Sequence, residues 1–446
     1  GIGGIGMSGI AEVLLNLGYR ISGSDQKRST ITARLKKKGA KIHYGHKAGH
    51  IDESHVVVIS SAVRNNNPEV AAAKKLGIPV IPRAEMLAEL MRLKYGVAVA
   101  GSHGKTTTTS LVGQILSGAG LDPTIVIGGR LNSLRSNAKL GKGEFLVAEA
   151  DESDGSFLKL NPTIAVITNI DPEHLDHYKD FEVLKETFVA FANKAPFYGS
   201  IVVCTDHPVI RELLPRFQRK VVSYGLQQAA DYSAQKISQD GLRQKFEVFF
   251  RKEKLGEVVL HSPGKHSVAN ALAAIAVGRE LEIPFRKIAS ALKTFRGIER
   301  RFQVLCNNGV TVIDDYGHHP VEIRATLRAL REAYPGRRLI ALFQPHRFTR
   351  TRDLFQDFTQ SFSDADLVFL TEIYPAGEEP IIGVSSRGLW EAMDPSKVLY
   401  HPDKASLAAA VIEQVQPGDV ILSLGAGDIT KIGHELAKAL KNKAIP

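Results

Sequence analysis

A glycine-rich segment with a lysine and two threonines stands between the apolar run 97–100 and helix-forming sequence. It consists of Gly101-Ser102-His103-Gly104-Lys105-Thr106-Thr107. Backbone N–H groups of such a loop can point at phosphate oxygens, and the start of the following helix adds positive partial charge. Lys105 supplies a full charge, and a threonine hydroxyl such as that of Thr106 can ligate Mg²⁺. The segment therefore predicts a strand, a phosphate-binding loop and a helix that together bind a nucleoside triphosphate.

The spacing of this loop departs from the common pattern G-x-x-x-x-G-K-[ST], which needs glycine where this chain has Val99. A turn that only caps a helix is the alternative interpretation. The apolar residues after the loop recur at helical spacing, at Leu111, Val112, Ile115 and Leu116. Together with the preceding strand, this periodicity favours the phosphate loop.

Two further predicted strands end in groups that could bind a metal. Glu149 closes the apolar run 145–148, and His174 follows the run 163–170. A carboxylate at such a strand end can bind Mg²⁺ directly or through water. Acids at strand ends also cap helices or face water, and Mg²⁺ prefers oxygen to histidine nitrogen, so a structural role for either residue stays open.

The chain opens with a second glycine loop, Gly1-x-Gly3-x-x-Gly6, which is followed by a predicted helix. This pattern is typical of turns that let a diphosphate approach a helix N-terminus. Since the first residues already lie inside the loop, we expect a strand before Gly1. A glycine turn without a ligand is the alternative, and the pattern alone does not establish a nicotinamide or flavin cofactor.

Polar groups also follow the predicted strands of the last third of the chain. The segments are 314–320, 344–351, 373–377 and 425–428. In doubly wound sheets, ligands bind at the carboxyl ends of strands, so these segments predict a second binding region. Upstream of them, His266 and Asn270 are four residues apart on one helix face and could hydrogen-bond a base, although plain packing is the alternative.

Length and strand order predict an α/β protein of three domains. They are a Rossmann-like domain at 1–93, a central domain with a mostly parallel sheet at 94–297, and a doubly wound Rossmann-like domain at 298–446.

The 446 residues contain no apolar run near the ~20 needed to span a bilayer. The distant Cys204 and Cys306 suggest neither a disulfide nor a zinc site. The net charge of +10 suits an anionic partner, but its scattered basic residues disfavour nucleic acid.

Taken together, the motifs resemble those of the Mur ligases along essentially the whole chain. The segments that carry the resemblance are GIGGIGMS (1–8), GSHGKTTT (101–108), AEADESD (148–154), PGKH (263–266), DDYGHHP (314–320) and FQPHR (343–347). The last two resemble the members that add L-alanine rather than glutamate, diaminopimelate or a dipeptide. The resemblance implies a cytoplasmic monomer or homodimer that uses ATP and Mg²⁺, with Mn²⁺ as an alternative, to join L-alanine to UDP-N-acetylmuramate through an acyl phosphate.

The resemblance also implies roles for individual residues. Lys105 and Thr106 would take the ATP phosphates and Mg²⁺, and Glu149 and His174 would lie at the metal sites. The residues that would face ATP are His266, Asn270, Arg301 and Asp315. Those that would hold the UDP-sugar diphosphate are Gly3, Gly4, Ile5 and Gly6. Those that would approach the muramoyl carboxylate and the reacting centre are His346, Arg347, Arg350, Tyr316 and His318.

Two positions qualify this resemblance. Ser267 stands where the family usually has asparagine, and Lys185 is near the position of a lysine that is carbamylated in other subgroups. A ligase that adds a tripeptide to the same UDP-sugar is the near alternative. A folylpolyglutamate-type ligase, a nucleotide-switched protein that binds DNA or membrane, and an NAD dehydrogenase are more distant ones.

Overall fold

The computed structural model describes residues 1–441 except 52, 61, 65 and 132–135, and it leaves out the side chains of 5, 128–131, 136–137, 175 and 176. The chain divides into two compact units. The first comprises Gly1–Ile237, Phe246–Val259 and Val268–Arg296, and the second comprises Ser238–Lys245, Leu260–Ser267 and Gly297–Pro446. Two short segments of the central stretch therefore group with the C-terminal residues. The boundaries at 93/94 and 297/298 stay predictions.

The N-terminal part of the first unit alternates short strands and helices. Its elements are α1 (Ile5–Asn16), β1 (Ser22–Asp25), α2 (Thr30–Lys37), β2 (Lys41–Tyr44), β3 (Val57–Ile59), α3 (Pro68–Lys75), β4 (Val80–Pro82) and α4 (Arg83–Arg92). The strands form two parallel pairs, β1 with β2 and β3 with β4. Ser29 and Asn67 accept hydrogen bonds from the first turns of α2 and α3, which explains where these helices begin.

A ten-stranded sheet follows. Its strands are β5 (Tyr95–Ala100), β6 (Thr124–Leu131), β7 (Ser136–Lys139), β8 (Phe145–Glu149), β9 (Ile164–Ile167), β10 (Ser200–Cys204), β11 (Lys220–Gly225), β12 (Tyr232–Asp240), β13 (Arg243–Phe250) and β14 (Glu253–Leu260). The helices around it are α5 (Lys105–Gly118), α6 (Leu175–Tyr178), α7 (Phe181–Ala192), α8 (Pro208–Leu213), α9 (Lys265–Glu280) and α10 (Phe285–Lys293). The spatial order is β14-β13-β12-β11-β10-β9-β5-β8-β6-β7.

The central strands of this sheet pair in parallel, β8 with β5, β5 with β9, and β9 with β10. Residues 97–100 of β5 and all of β9 are buried, as expected for strands covered on both faces. Because parallel strands point the same way, the loops after β5, β8 and β9 meet at one edge. The predicted strand 163–170 is shorter in the structure, since Thr168 and Asn169 instead direct their side chains at the loop after β5.

The second unit is built on a six-stranded sheet with the order β15-β16-β20-β17-β18-β19. Its strands are β15 (Gln303–Asn308), β16 (Val310–Asp315), β17 (Leu339–Phe343), β18 (Leu367–Leu370), β19 (Val398–Tyr400) and β20 (Val420–Leu424). Its helices are α11 (Pro320–Ala333), α12 (Phe348–Asp353), α13 (Phe355–Thr359), α14 (Ser386–Glu391), α15 (Lys404–Gln414) and α16 (Thr430–Lys441). Only β15 is antiparallel to its neighbour among the pairs described.

Both faces of this second sheet are covered by apolar clusters. The arrangement confirms the predicted doubly wound α/β sheet, because helices alternate with parallel strands and pack on both sides. No helix in the described part of the chain is long and apolar enough to cross a membrane.

Candidate active site

The loop between β5 and α5 has the backbone that a phosphate cradle requires. Gly101 and Gly104 have φ angles of 128° and 81°, in the region that favours glycine. A Cβ atom on Gly101 would lie 2.1 Å from Thr168 Oγ1, and one on Gly104 would lie 2.6 Å from Asn270 Oδ1. Gly104 is the N-cap of α5 and has no side chain to bond the first N–H groups of that helix. These groups therefore favour a negatively charged ligand.

Side chains after β9 hold this loop in place. Thr168 Oγ1 donates to the His103 carbonyl at 2.6 Å, and Asn169 Nδ2 donates to the same oxygen at 3.1 Å. Asn169 Oδ1 accepts from the His103 N–H at 2.7 Å, and Ser102 Oγ accepts from the Asp171 N–H at 2.8 Å. The loop is thus fixed in advance rather than ordered only when a ligand arrives.

Lys105 occupies the centre of the loop and pairs with a buried carboxyl group. Its Nζ donates to the carbonyls of Gly101 and Ser102 at 2.5 and 3.2 Å and to Glu152 Oε1 at 2.7 Å. Burial works to lower the pKa of Lys105, but the negative charge of Glu152 outweighs it and raises that pKa. Burial raises the pKa of Glu152 to about 7 despite the attraction of Lys105. Lys105 therefore stays protonated at neutral pH.

Three candidate metal ligands adjoin this pair. Ligand atoms of Glu152, Glu173 and His174 all lie within 4.8 Å of one another. Glu152 Oε2 is buried and has no hydrogen-bond partner among the described residues. Carboxylate oxygens in this arrangement suit a hard divalent cation. Glu149 ends β8 opposite Val99 of β5, so it lies at the same edge.

The ionised carboxylate of Asp171 contacts the imidazole rings of His103, which lies in the loop, and of His207. Asp171 Oδ2 lies 3.3 Å from His103 Nε2, and Asp171 Oδ1 lies 3.3 Å from His207 Nε2. Burial works to raise the pKa of Asp171, but hydrogen bonds from the two imidazoles outweigh it and lower that pKa. A charged Asp171 fixes the ring of His103 next to the phosphate cradle.

The opening glycine loop lies against the end of β1 in the same unit. The Gly3 N–H donates to Asp25 Oδ2 at 2.8 Å. A Cβ atom on Gly6 would lie 2.9 Å from Arg83 Nη1, so a guanidinium group stands at the start of α1. Gly1, Asp25 and His46 are among the residues that line a cavity of about 520 Å³ here. Helix N-terminus, arginine and cavity together suit an anionic ligand.

In the second unit, two arginines and a tyrosine gather at the end of β16. The Tyr316 ring is covered by the guanidinium carbons of Arg300 and Arg301, at 4.8 and 5.2 Å from its centroid. Asp315 accepts hydrogen bonds from the N–H groups of Phe302 and Gly317 at 2.7 and 2.8 Å. Burial raises the pKa of Asp315 to about 6.

Two histidines extend this cluster. The rings of His318 and His346 have centroids 5.6 Å apart, and Tyr374 stacks on His346. Arg350 Nη1 lies 3.2 Å from His346 Nδ1. Burial, with added repulsion from Arg350, lowers the pKa of His346 to about 4, and burial also lowers the pKa of His318 well below its usual value. Both imidazoles are therefore neutral at pH 7 beside positively charged arginines.

Unfavourable backbone conformations coincide with these groups. Positive φ angles occur at His174 (57°), Arg300 (59°), Phe302 (49°) and Arg347 (73°). Such angles cost about 1–3 kcal/mol each and persist only where the surroundings impose them, which is common at binding sites. His266 lies far from this cluster in sequence. Burial is the main cause that lowers its pKa to about 4, and repulsion from the positive charge of Arg301 lowers it further.

Comparison with family models extends the resemblance over most of the chain. Residues 1–95 match the Mur ligase family catalytic domain, residues 99–278 match the Mur ligase middle domain, and residues 300–427 match the Mur ligase glutamate ligase domain. A UDP-N-acetylmuramate–L-alanine ligase of Myxococcus xanthus is 55% identical over 100% of this chain and 95% of its own. The chain belongs to the Mur ligase family.

Other relatives agree with this Mur ligase assignment. A UDP-N-acetylmuramate–L-alanine ligase of Geobacter sulfurreducens is 56% identical, over 99% of this chain and 96% of its own. The crystal structure of the UDP-N-acetylmuramate–alanine ligase of Thermotoga maritima superposes with a TM-score of 0.84 at 28% identity, covering 99% of this chain and 98% of that one. A murein peptide ligase of Psychrobacter arcticus has a TM-score of 0.71 at 25% identity, with coverage of 100% and 98%.

Within each unit of this Mur ligase, the structure brings many predicted residues together. Gly101 to Lys105, Asn270 and His174 lie around the phosphate loop, where Thr108 Oγ1 also donates to Asn270 Oδ1 at 3.3 Å. Thr106 and Thr107 follow Lys105 in the first turn of α5. In the second unit, Arg301, Tyr316, His318, His346 and Arg350 form one cluster. Ile5 begins α1, and its side chain lies outside the described part.

Two residues that qualified the resemblance have local partners. Ser267 is buried, and its Oγ lies 3.0 Å from Ser262 Oγ and donates to the Pro263 carbonyl at 2.8 Å. Lys185 Nζ donates to Glu182 at 2.9 Å and to Glu212 at 3.1 Å. The ammonium group of Lys185 is thus already engaged by two carboxylates.

Sequence reasoning gave no role to several groups that the structure places in the site. Glu152, Glu173, Asn169, Arg83 and Arg300 are the principal ones. Three of them follow strands β8 and β9, so their position after a central strand was an available signal. Arg83 and Arg300 had no such signal, because only the fold brings them to the start of α1 and to Tyr316.

Proposed function

We propose that this chain joins L-alanine to the carboxylate of UDP-N-acetylmuramate in an ATP-dependent reaction of peptidoglycan precursor synthesis. The observation that carries the proposal is the identity of about 55%, along the whole chain, to ligases that bear this specificity in their names. The two glycine loops and the arginine-histidine cluster supply sites for the anionic substrates. We place the reaction in the cytoplasm and the enzyme as a monomer or homodimer, with small-molecule substrates and no nucleic acid.

The first unit fits ATP and a divalent cation. The cradle between Gly101 and Gly104 admits phosphate oxygens where a Cβ would collide, and Lys105 presents a positive charge inside it. Glu152, Glu173 and His174 would hold Mg²⁺ or Mn²⁺, with Thr106 and Glu149 as further ligands. When bound, the cation would neutralise charge on the transferring phosphoryl group. The opening loop with Gly3, Gly4 and Gly6 would take the diphosphate of the UDP-sugar.

The reaction needs charge neutralisation and positioning more than strong acid–base groups. An oxygen of the muramoyl carboxylate attacks the γ-phosphorus of ATP, and ADP leaves. The neutral amine of alanine then attacks the acyl carbon of the acyl phosphate, the C–O bond to phosphate breaks, and the amine loses a proton. Lys105 stabilises the phosphoryl charge in this scheme, and Arg347 and Arg350 bind the muramoyl carboxylate.

The remaining predicted residues have positioning tasks. His318 and His346, neutral at pH 7, can accept a hydrogen bond from the amine without repelling it. Tyr316, held between Arg300 and Arg301, lies next to them. We assign His266, Asn270, Arg301 and Asp315 to contacts with ATP.

Phosphate release tests this function directly. The purified chain is given ATP, Mg²⁺ and UDP-N-acetylmuramate, with either L-alanine or the L-Ala-D-Glu-diaminopimelate tripeptide. We expect release with L-alanine alone. Release only with the tripeptide would identify a murein peptide ligase instead, and no release with either by a folded, ATP-binding protein would contradict the proposal.

A matched pair of lysine variants tests the role of the loop. Lys105→Ala should lower turnover at least 1,000-fold while UDP-N-acetylmuramate binding, measured by calorimetry, stays within about two-fold. Lys252→Ala removes an exposed lysine of the same unit and should leave both unchanged. Loss of both turnover and UDP-N-acetylmuramate binding in a folded Lys105→Ala protein would contradict the separate roles of the two glycine loops.

A further inference from the structure

An exposed aromatic cluster lies on the first unit at the starts of the central strands. Phe197 is 90% exposed, Leu93 73% and Tyr198 61%. Tyr198 contacts Phe197 and Tyr95, with ring centroids 5.2 and 6.4 Å apart. Large apolar side chains that cluster on a surface mark an interaction site more often than isolated ones do. We call residues 92–95, 141–145, 193–199 and 216–220 the strand-start surface.

The strand-start surface is strongly basic. It contains seven lysines and arginines and a single acidic residue, Glu144. Three of the basic residues form ion pairs: Arg92 with Glu89 of its own helix α4, Arg216 with Glu186 of α7, and Lys220 with Glu280 of α9. The other four basic residues are Lys94, Lys142, Lys194 and Arg219.

Two of these charges are fixed beside the aromatic side chains. Lys94 Nζ donates to the carbonyls of Gly143 and Gly141 at 2.5 and 3.4 Å. Arg219 Nε donates to the Ala195 carbonyl at 2.7 Å, two residues before Phe197. Lys142 and Lys194 are exposed. Asp122 accepts from the Lys142 N–H at 2.8 Å. Even with this acid and Glu144, the exposed aromatic side chains have more positive than negative charge beside them.

This surface leaves the phosphate loop accessible. It lies at the starts of the strands whose ends carry the loop, and β5 has six residues. At about 3.3 Å per residue, the two edges are roughly 20 Å apart. A partner on the strand-start surface would therefore not cover the nucleotide site.

We infer that the strand-start surface docks on an anionic lipid bilayer. Tyrosine and phenylalanine side chains enter the headgroup region favourably, and basic side chains beside them are attracted to anionic lipid. A second copy of this chain would bring like charge against like charge, which disfavours a symmetric dimer through this surface. Leu93 has no ring on which a base could stack, and the Phe197 and Tyr198 rings meet edge to face at 89°, so these two rings do not form one flat platform for successive bases.

Vesicle co-sedimentation of the full chain tests this inference. In 50 mM salt, we expect at least ten-fold tighter binding to phosphatidylglycerol vesicles than to phosphatidylcholine vesicles, and loss of that binding in 500 mM salt. The double variant Phe197→Ser with Tyr198→Ser should bind at least ten-fold more weakly. Ile382→Ser, which removes a fully exposed apolar side chain of the second unit, should bind as the unchanged chain does.

A charge variant keeps the test informative if the aromatic variant does not fold. Lys194→Glu changes the charge by two, and at about five-fold per charge near an anionic bilayer it should weaken binding about 25-fold. Ligase activity without vesicles should be unchanged in the folded variants. No binding of the unchanged chain to phosphatidylglycerol would overturn the inference, as would equal binding by all variants. Self-association or nucleic-acid binding lost in the same variants, without vesicle binding, would also overturn it.

Discussion

Replacing Asp315 with asparagine should remove a pH-dependent cost from the stability of the second unit. Asp315 ends β16 and is buried, and burial raises its pKa from 3.8 to about 6. The folded unit then binds more protons than the unfolded chain between these two pH values. The free energy of unfolding therefore falls as the pH rises through this window. The stabilising contribution of protonated Asp315 is therefore complete below about pH 3.8 and lost above about pH 6.

The pKa values set the size of the effect. A rise from 3.8 to about 6 corresponds to about 3 kcal/mol at 1.36 kcal/mol per pKa unit. Asparagine cannot ionise, but its amide group replaces an oxygen that accepts from Gly317 or Phe302. That change costs about 1–3 kcal/mol at every pH. The stability of Asp315→Asn relative to the unchanged chain should thus improve by about 2.4 kcal/mol between pH 4 and 7.5, because pH 4 already lies just above the pKa of the unfolded chain.

Denaturant unfolding monitored by tryptophan fluorescence measures this difference. Trp390 is the sole tryptophan of the chain and packs against a core cluster of the second unit. Asp366→Asn is the control, because hydrogen bonds from Arg331 lower the pKa of Asp366 against the effect of burial. The loss of unfolding free energy caused by Asp366→Asn should not become smaller as the pH rises. A stability difference for Asp315→Asn that is the same at pH 4 and pH 7.5 would refute the reasoning.

Two further substitutions test the first unit. Gly104→Ala places a Cβ 2.6 Å from Asn270 Oδ1 at a φ of 81°. ATP binding measured by calorimetry should therefore weaken at least ten-fold, while the circular dichroism spectrum stays unchanged. Near-normal ATP binding would argue against the phosphate cradle. Lys185→Met should leave the rate of phosphate release within about two-fold, because the Lys185 ammonium is engaged by Glu182 and Glu212; a 100-fold loss would instead assign Lys185 to the reaction.

Much of the fold follows from local sequence pattern. The buried strands β8, β9, β17 and β20 each correspond to an apolar run of strand length, and the alternation with helices predicts a parallel sheet. The edge elements were harder to foresee. The antiparallel β15 and the short β19 lack the continuous apolar character of a buried strand, because an edge strand has one neighbour and more solvent.

The sequence by itself also determined the phosphate loop, because its chemistry is local. Gly101, Gly104 and Lys105 are near neighbours in the chain, and their types dictate the backbone and charge that a phosphate needs. The same holds for the polar ends of the strands in the second unit. Their side chains had to meet, since parallel strands deliver their ends to one edge.

Only the tertiary structure decided the partners and protonation of these groups. The pairing of Lys105 with Glu152 and the hydrogen bond of Thr108 in α5 to Asn270 join residues distant in sequence. Burial is likewise a property of the whole fold, and it raises the pKa of Asp315 and lowers that of His346. Local pattern fixes which groups reach an edge, whereas packing fixes which atoms touch there and which of them carry charge.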